Sequence, residues 1–176
     1  MNHRSMLDIF VNLAFLEANI VSRADLSGWP VIGLAARRVG TLFVDRSSKR
    51  SGAAVINAIV HASLRGKGVM VYPEGTTFSG DEVRPFRAGA FLAAQRTGAE
   101  VIPVGIAYDG DAASFGDEPF VKHLLRVSGA RETRIGLEIG DPLRAADHAE
   151  VDTLKDMARE RVQALVLRAR ARLERG

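Results

Sequence analysis

Apolar and polar positions along this chain recur with two periods, one helical and one strand-like. Leu7–Glu17 predicts a helix and Asn19–Ser22 a short strand. Trp29-Pro30 opens a second predicted helix, because proline suits a first helical turn, and this helix ends near Gly40. Thr41-Leu42-Phe43-Val44 is a β-rich run. Ser51–Leu64 places Val55, Ile56, Ile59, Val60 and Leu64 on one helical face. Gly66-Lys67-Gly68 reads as a turn into a strand at Val69–Tyr72, and a polar loop follows from Pro73 to Arg87. Ala88–Arg96 predicts a helix stopped by Gly98, with strands at Val101–Ala107 and Arg134–Ile139. Residues 109–131 read as an irregular excursion holding a short helix near Phe120–Arg126. The last element, Val151 to about Leu173, is amphipathic. Leu154, Met157, Leu165 and Leu173 lie on one side, and Lys155, Arg159, Arg170 and Glu174 on the other.

Near-continuous apolar strands alternating with helices predict a single α/β domain over residues 1–176. Its central sheet is largely parallel or mixed, with helices on both faces. Ligands of such folds bind beyond the carboxyl ends of the strands. At 47% hydrophobic and 26% charged residues the chain has the composition of a globular protein. It has no cysteine, which removes disulfides, thiolate metal sites and a cysteine nucleophile. No apolar run approaches the ~20 residues of a membrane span, and no secretory signal pattern precedes residue 7. The net charge of +3 is uneven: residues 1–70 carry +5, residues 71–150 carry −5, and residues 151–176 carry +3. The basic parts suit phosphates or an anionic membrane surface. Nucleic acid is not an expected partner, since zinc-finger spacing and RNP motifs are absent and only 6% of residues are aromatic.

Four blocks can carry chemistry. In Asn2-His3-Arg4-Ser5-Met6-Leu7-Asp8, Ser5 is a candidate N-cap and Ser5-x-x-Asp8 a candidate capping box. If the helix starts there, His3 lies outside it and can fold back on Asp8, leaving one ring nitrogen as a base. The alternative is a terminus where Asp8 merely caps. In Gly40–Arg46 a strand delivers Asp45 and Arg46 to its carboxyl end, where a guanidinium suits an anion or forms a plain surface pair. Tyr72-Pro73-Glu74-Gly75-Thr76-Thr77 breaks a strand into a turn with a carboxylate, a glycine and a hydroxyl. Arg87 follows just before a helix start. In Val101-Ile102-Pro103-Val104, proline removes a ladder donor and marks an edge, a bulge or a backbone opened to a ligand. His61 reads as structural, and His123 and His148 have no motif partners. HExxH, P-loop and G-x-S-x-G patterns are absent.

In this order and spacing the four blocks, with Phe86-Arg87-Ala88-Gly89, resemble the glycerolipid acyltransferases typified by lysophosphatidate acyltransferases, over about residues 1–107. The resemblance implies a glycerol-3-phosphate acyltransferase-like fold. It also implies acyl transfer from acyl-CoA or acyl-carrier protein to a lyso-lipid hydroxyl in membrane lipid synthesis, without a metal or other cofactor. His3 would be the general base and Asp8 its orienting partner. Arg46, Glu74, Gly75 and Thr76 would shape the acceptor pocket together with Arg87 as an anion contact, and Pro103 would lie near the acyl site. Thr77 stands where the family usually has arginine, as in lyso-ornithine-lipid acyltransferases, so the acceptor need not be lysophosphatidate. The other readings are a thioesterase using the same pair on water and an inactive lipid-binding remnant. The family carries a membrane-associated helical segment before the His block. The expectation is therefore a domain lacking that segment, working peripherally or anchored at the cytoplasmic side of a membrane.

Overall fold

The computed structural model describes residues 1–16, 18–23, 28, 34, 38, 40–44, 51–110, 113–116 and 118–175. Helix α1 (Leu7–Phe15) leads into strand β1 (Asn19–Arg23) and, further on, strand β2 (Leu42–Val44). Helix α2 (Ser51–Ser63) precedes strand β3 (Val69–Met70), and helix α3 (Gly89–Thr97) follows the polar loop. Strands β4 (Glu100–Val101) and β5 (Val104–Tyr108) come next, then helix α4 (Phe120–Ser128) and strands β6 (Ile135–Ile139) and β7 (Leu143–Arg144). A 3₁₀ turn (Ala145–Asp147) leads to the long helix α5 (Val151–Arg175). The helix expected from Trp29-Pro30 lies for the most part outside the described residues, as do Asp45 and Arg46.

The expected α/β architecture is present, with a mixed sheet system. Strands β2, β1 and β3 form a parallel sheet in that order. Strand β5 pairs antiparallel with β6, in a register that sets Ile106 opposite Leu137, and β4 pairs antiparallel with β7. The run predicted as one strand from Val101 to Ala107 is two. Ile102 and Pro103 interrupt it, and the Pro103 carbonyl instead accepts from the Gly140 N–H at 2.9 Å. A proline cannot donate to a ladder, so β4 and β5 are free to pair with different strands. Strand β3 is shorter than the Val69–Tyr72 run that predicted it. The Val71 carbonyl takes a bond from Met1 rather than from a strand, and the chain turns away at Tyr72.

Helix α5 lies across β5 and β6 and buries Leu154, Ala158, Val162, Leu165, Val166 and Ala169. Met157 and Leu173, expected on that face, are only half-buried. The reason is close approach: a Cβ on Gly105 of β5 would stand 2.6 Å from both the Leu165 side chain and the Val166 nitrogen. Strand glycines thus let the helix backbone approach, with Leu165 and Val166 over Gly105 and Ala169 over Gly136. The basic side of α5 is not simply solvated. Arg170 clamps Asp81 with two bonds of 2.8 and 2.9 Å and donates to the Tyr108 carbonyl at 2.6 Å. Gln163 takes the Val83 N–H at 2.7 Å and donates to the Asp81 carbonyl at 2.9 Å. Helix α5 therefore fastens the polar loop between Pro73 and Arg87. Among the described residues no helix is long and apolar enough to cross a membrane.

Candidate active site

The segment before α1 runs between the ends of β3 and β5, where its side chains replace strand pairing. The Asn2 carboxamide donates to the Ile106 carbonyl and accepts from the Ile106 N–H, both at 2.9 Å. One side chain thereby satisfies both backbone groups of a buried strand residue. This fixes the origin of the segment that carries His3.

His3 and Asp8 come together as the spacing allowed. His3 Nδ1 lies 2.7 Å from Asp8 Oδ2, with Asp8 fully buried and the His3 side chain 16% exposed. The same oxygen accepts the Arg4 N–H at 2.7 Å and the Ser5 N–H at 3.1 Å, while Oδ1 accepts the Tyr108 hydroxyl at 2.5 Å. The capping-box expectation is met in its chemistry: Asp8 reaches back to the Ser5 N–H, and Ser5 Oγ accepts the Leu7 N–H at 3.2 Å. The N-cap position itself falls at Met6, one residue later than expected, because Ser5 is drawn into the turn. A carboxylate bonded by this many donors is held in one orientation, and it fixes the imidazole in turn. Burial, and then the charge of Asp8, push the Tyr108 phenol far above its ordinary range, so it remains a donor. With Nδ1 committed to Asp8, Nε2 is the nitrogen left for proton transfer, and it has no hydrogen-bond partner among the described residues. The ring is held on its face by Tyr72, stacked with centroids 4.1 Å apart and planes at 21°.

The third block supplies the floor. Glu74 is buried, and its carboxylate faces inward. It accepts the His3 N–H and the Arg84 N–H, each at 2.9 Å, and pairs with Arg4 Nη1 at 3.0 Å. Arg4 is itself buried and also donates to the carbonyls of His3, Gly80 and Glu82. Glu74 thus ties the His3 backbone to the polar loop. Gly75 turns the chain at φ +85°, which only glycine adopts without strain, and its N–H closes the turn on the Tyr72 carbonyl at 3.0 Å. The missing side chain also makes room, since a Cβ there would lie 2.6 Å from the Arg87 guanidinium. Arg87 is exposed and anchored by its N–H on the Pro73 carbonyl at 2.8 Å. Thr76 is exposed and Thr77 half-buried at the same rim. Arg46 lies outside the described residues.

Pro103 is brought elsewhere. It is buried in the wall of an apolar cavity of about 480 Å³. Met1, Met70, Val71, Pro73, Phe86 and Phe91 line the same cavity, and its volume falls in the range of small-molecule sites. Met1, Val71 and Pro73 place its near wall beside the residues flanking His3 and Tyr72.

Fold and site together define an α/β domain with a histidine–carboxylate pair beyond the carboxyl end of its parallel sheet. The chain belongs to the acyltransferase family, whose profile matches residues 1–107. It is 29% identical over 171 residues to the 1-acyl-sn-glycerol-3-phosphate acyltransferase of Neisseria gonorrhoeae, covering 94% of this chain and 67% of that protein. It is 31% identical over 175 residues to the lyso-ornithine lipid O-acyltransferase of Pseudomonas aeruginosa, covering 94% and 65%. The fold matches the crystal structure of the 1-acyl-sn-glycerophosphate acyltransferase of Thermotoga maritima, with a TM-score of 0.71 at 22% identity over 97% of this chain and 64% of that one. The chain therefore spans about two-thirds of the length of these relatives.

Several residues escaped the sequence reading. Asn2 and Tyr108 bond partners about a hundred residues away, and Arg4 pairs with Glu74 seventy residues on. The Asn2 and Arg4 positions within the first block were the only local signal.

Proposed function

We propose that the chain transfers a fatty acyl group from an acyl thioester, acyl-CoA or acyl-carrier protein, to the hydroxyl of a lyso-lipid. The observation that carries this reading is the His3–Asp8 pair, which commits Nδ1 to the carboxylate and leaves Nε2 without a partner among the described residues. His3 Nε2 takes the acceptor's hydroxyl proton as the oxygen bonds to the thioester carbonyl carbon. The tetrahedral intermediate collapses by breaking the C–S bond, and the imidazolium returns the proton to the departing thiolate. Asp8 stabilises the charged ring throughout. No acyl-enzyme is required: the chain has no cysteine, and Ser5 is fully buried. A positioned base of this kind contributes about 10²–10⁴-fold. The apolar cavity beside Pro103 takes the acyl chain, and Arg87, with Arg46, meets the acceptor's head group.

The names of the relatives support two acceptors, 1-acylglycerol-3-phosphate and lyso-ornithine lipid. The first is the leading reading, and Thr77 keeps the second open, since a hydroxyl offers only a neutral bond where arginine would offer a charge-assisted one. The enzyme works at the cytoplasmic surface of the membrane that holds its acceptor. Phe10 and Phe15 expose apolar surface on α1, the helix that carries Asp8, and the basic first seventy residues favour anionic lipid.

The test follows CoA release and acyl-lipid formation with each lyso-lipid in competition, for the protein and for His3→Ala. Transfer that depends on the acceptor and falls by at least ~10² in a folded His3→Ala protein is the expected result. Free fatty acid without acceptor would identify a hydrolase, and undiminished turnover in His3→Ala would remove His3 as base.

A further inference from the structure

A second histidine lies behind the first, in a part of the chain outside the four blocks. His123 of α4 is fully buried. Its Nε2 is 3.3 Å from Ser5 Oγ, and its Nδ1 is 3.0 Å from Glu118 Oε1. Arg126 reaches the same nitrogen at 3.0 Å, bonds Glu118, and donates to the Ser114 carbonyl at 2.9 Å. Phe115 closes the ring edge-on with centroids 4.6 Å apart, and the Phe115 N–H bonds the Arg4 carbonyl at 3.0 Å.

The tautomer sets which ring nitrogen donates. Arg126 can only donate and a carboxylate can only accept, so Nδ1 cannot serve both. Hydrogen bonds from Arg126 hold Glu118 well down, at about 2, and it remains ionised. With the proton on Nδ1, His123 donates to Glu118 and its Nε2 accepts the Ser5 hydroxyl; with the proton on Nε2, Arg126 donates to Nδ1 and the ring donates to Ser5 Oγ, so that in either form His123 is bonded to Ser5. Ser5 Oγ also accepts the Leu7 N–H at 3.2 Å. The chain of contacts continues from Ser5 through its own N–H to Asp8 Oδ2, and from Asp8 to His3. Ser5 is itself fully buried, so this Glu–His–Ser array is closed to substrate.

We propose that His123, held by Glu118, is a positioning residue: it locks Ser5 and thereby the Asp8 carboxylate that orients His3. A buried histidine placed for packing alone would need neither a carboxylate on one nitrogen nor a hydroxyl from the catalytic turn on the other. The inference rests on the proposed role of the His3–Asp8 pair.

The test compares the protein with His123→Leu, His123→Gln and Ser5→Ala by steady-state kinetics and by ¹⁵N NMR of the His3 ring. In His123→Leu, kcat should fall about 10- to 100-fold with both KM values within about 3-fold, the loss expected of a base displaced by a fraction of an ångström. His123→Gln retains an acceptor for the Ser5 hydroxyl and should recover most of it. The His3 Nδ1 and Nε2 shifts should move in His123→Leu and Ser5→Ala towards those of a ring without a fixed partner. If His123→Leu does not fold, Ser5→Ala decides the matter with the same readouts. Unchanged His3 shifts and unchanged kcat in a folded variant would overturn the proposal. Should the parent protein show no acyl transfer, the proposed function fails, and the NMR comparison still decides whether His123 positions His3.

Discussion

The ground beneath His3 and the ground beneath α5 are built on opposite principles. Under His3 lie Asn2, Arg4, Ser5, Asp8 and Glu74, all buried, each polar and bonded to a partner in a fixed direction. The buried face of α5 presents Leu154, Val162, Leu165 and Val166, with no polar side-chain atoms at all. The second region gains stability from area, about 25 cal/mol per Å² of apolar surface, and is indifferent to small rotations. The first gains little net energy per bond, about 1 kcal/mol, but loses heavily when one partner is removed. The lesson is a division of labour, in which the apolar layer supplies most of the stability and the polar layer supplies position.

Arg4→Met should break the polar layer most severely. It strips the buried Glu74 carboxylate of its charged partner, and loss of one member of a buried pair costs about 3–5 kcal/mol. Chemical denaturation should show that loss together with lost activity. Leu165→Ala tests the other layer. A fully buried leucine truncated to alanine costs about 2–5 kcal/mol, with the lower half of that range expected where α5 can settle onto the sheet. If the contrast is right, activity measured well below the melting temperature should survive in Leu165→Ala and not in Arg4→Met. The smallest effect is expected from Glu118→Gln, read as melting temperature against pH. Bonds from Arg126 lower the Glu118 pKa from 4.5 to about 2, so its ionised form stabilises the fold above the unfolded value. That advantage is lost as pH falls through the folded value. The parent should therefore melt above the variant near neutrality, and the gap should close as the pH approaches 2.

The same division explains what could be read from the chain. The His3–Asp8 contact spans five residues and forms within one turn, so spacing and capping chemistry were enough to propose it. Pro103 marked an edge, a bulge or an opening, because its effect on a ladder is local, but the run around it still read as one strand. The antiparallel pairing of β5 with β6 had no such signal. Two buried apolar strands look alike in either direction, and the excursion between them decides their orientation. His123 was likewise silent, since its meaning depends on a serine 118 positions earlier in the chain. Glu74 was visible as part of a motif, but its inward direction was set by Arg4 and by the backbone of the polar loop.

The bare α-carbon of Gly105 has a reach beyond its own strand. With no side chain there, the helix backbone rests directly on β5, and the strand has no room to shift along or away from it. Ile106, the next residue, is where Asn2 hooks on, and Tyr108, two further, presses its hydroxyl to Asp8. The strand thus works like a gauge block between helix α5 and the imidazole: its thickness at one point sets the height of the His3 ring. A single methyl group at position 105 should register as misalignment at His3.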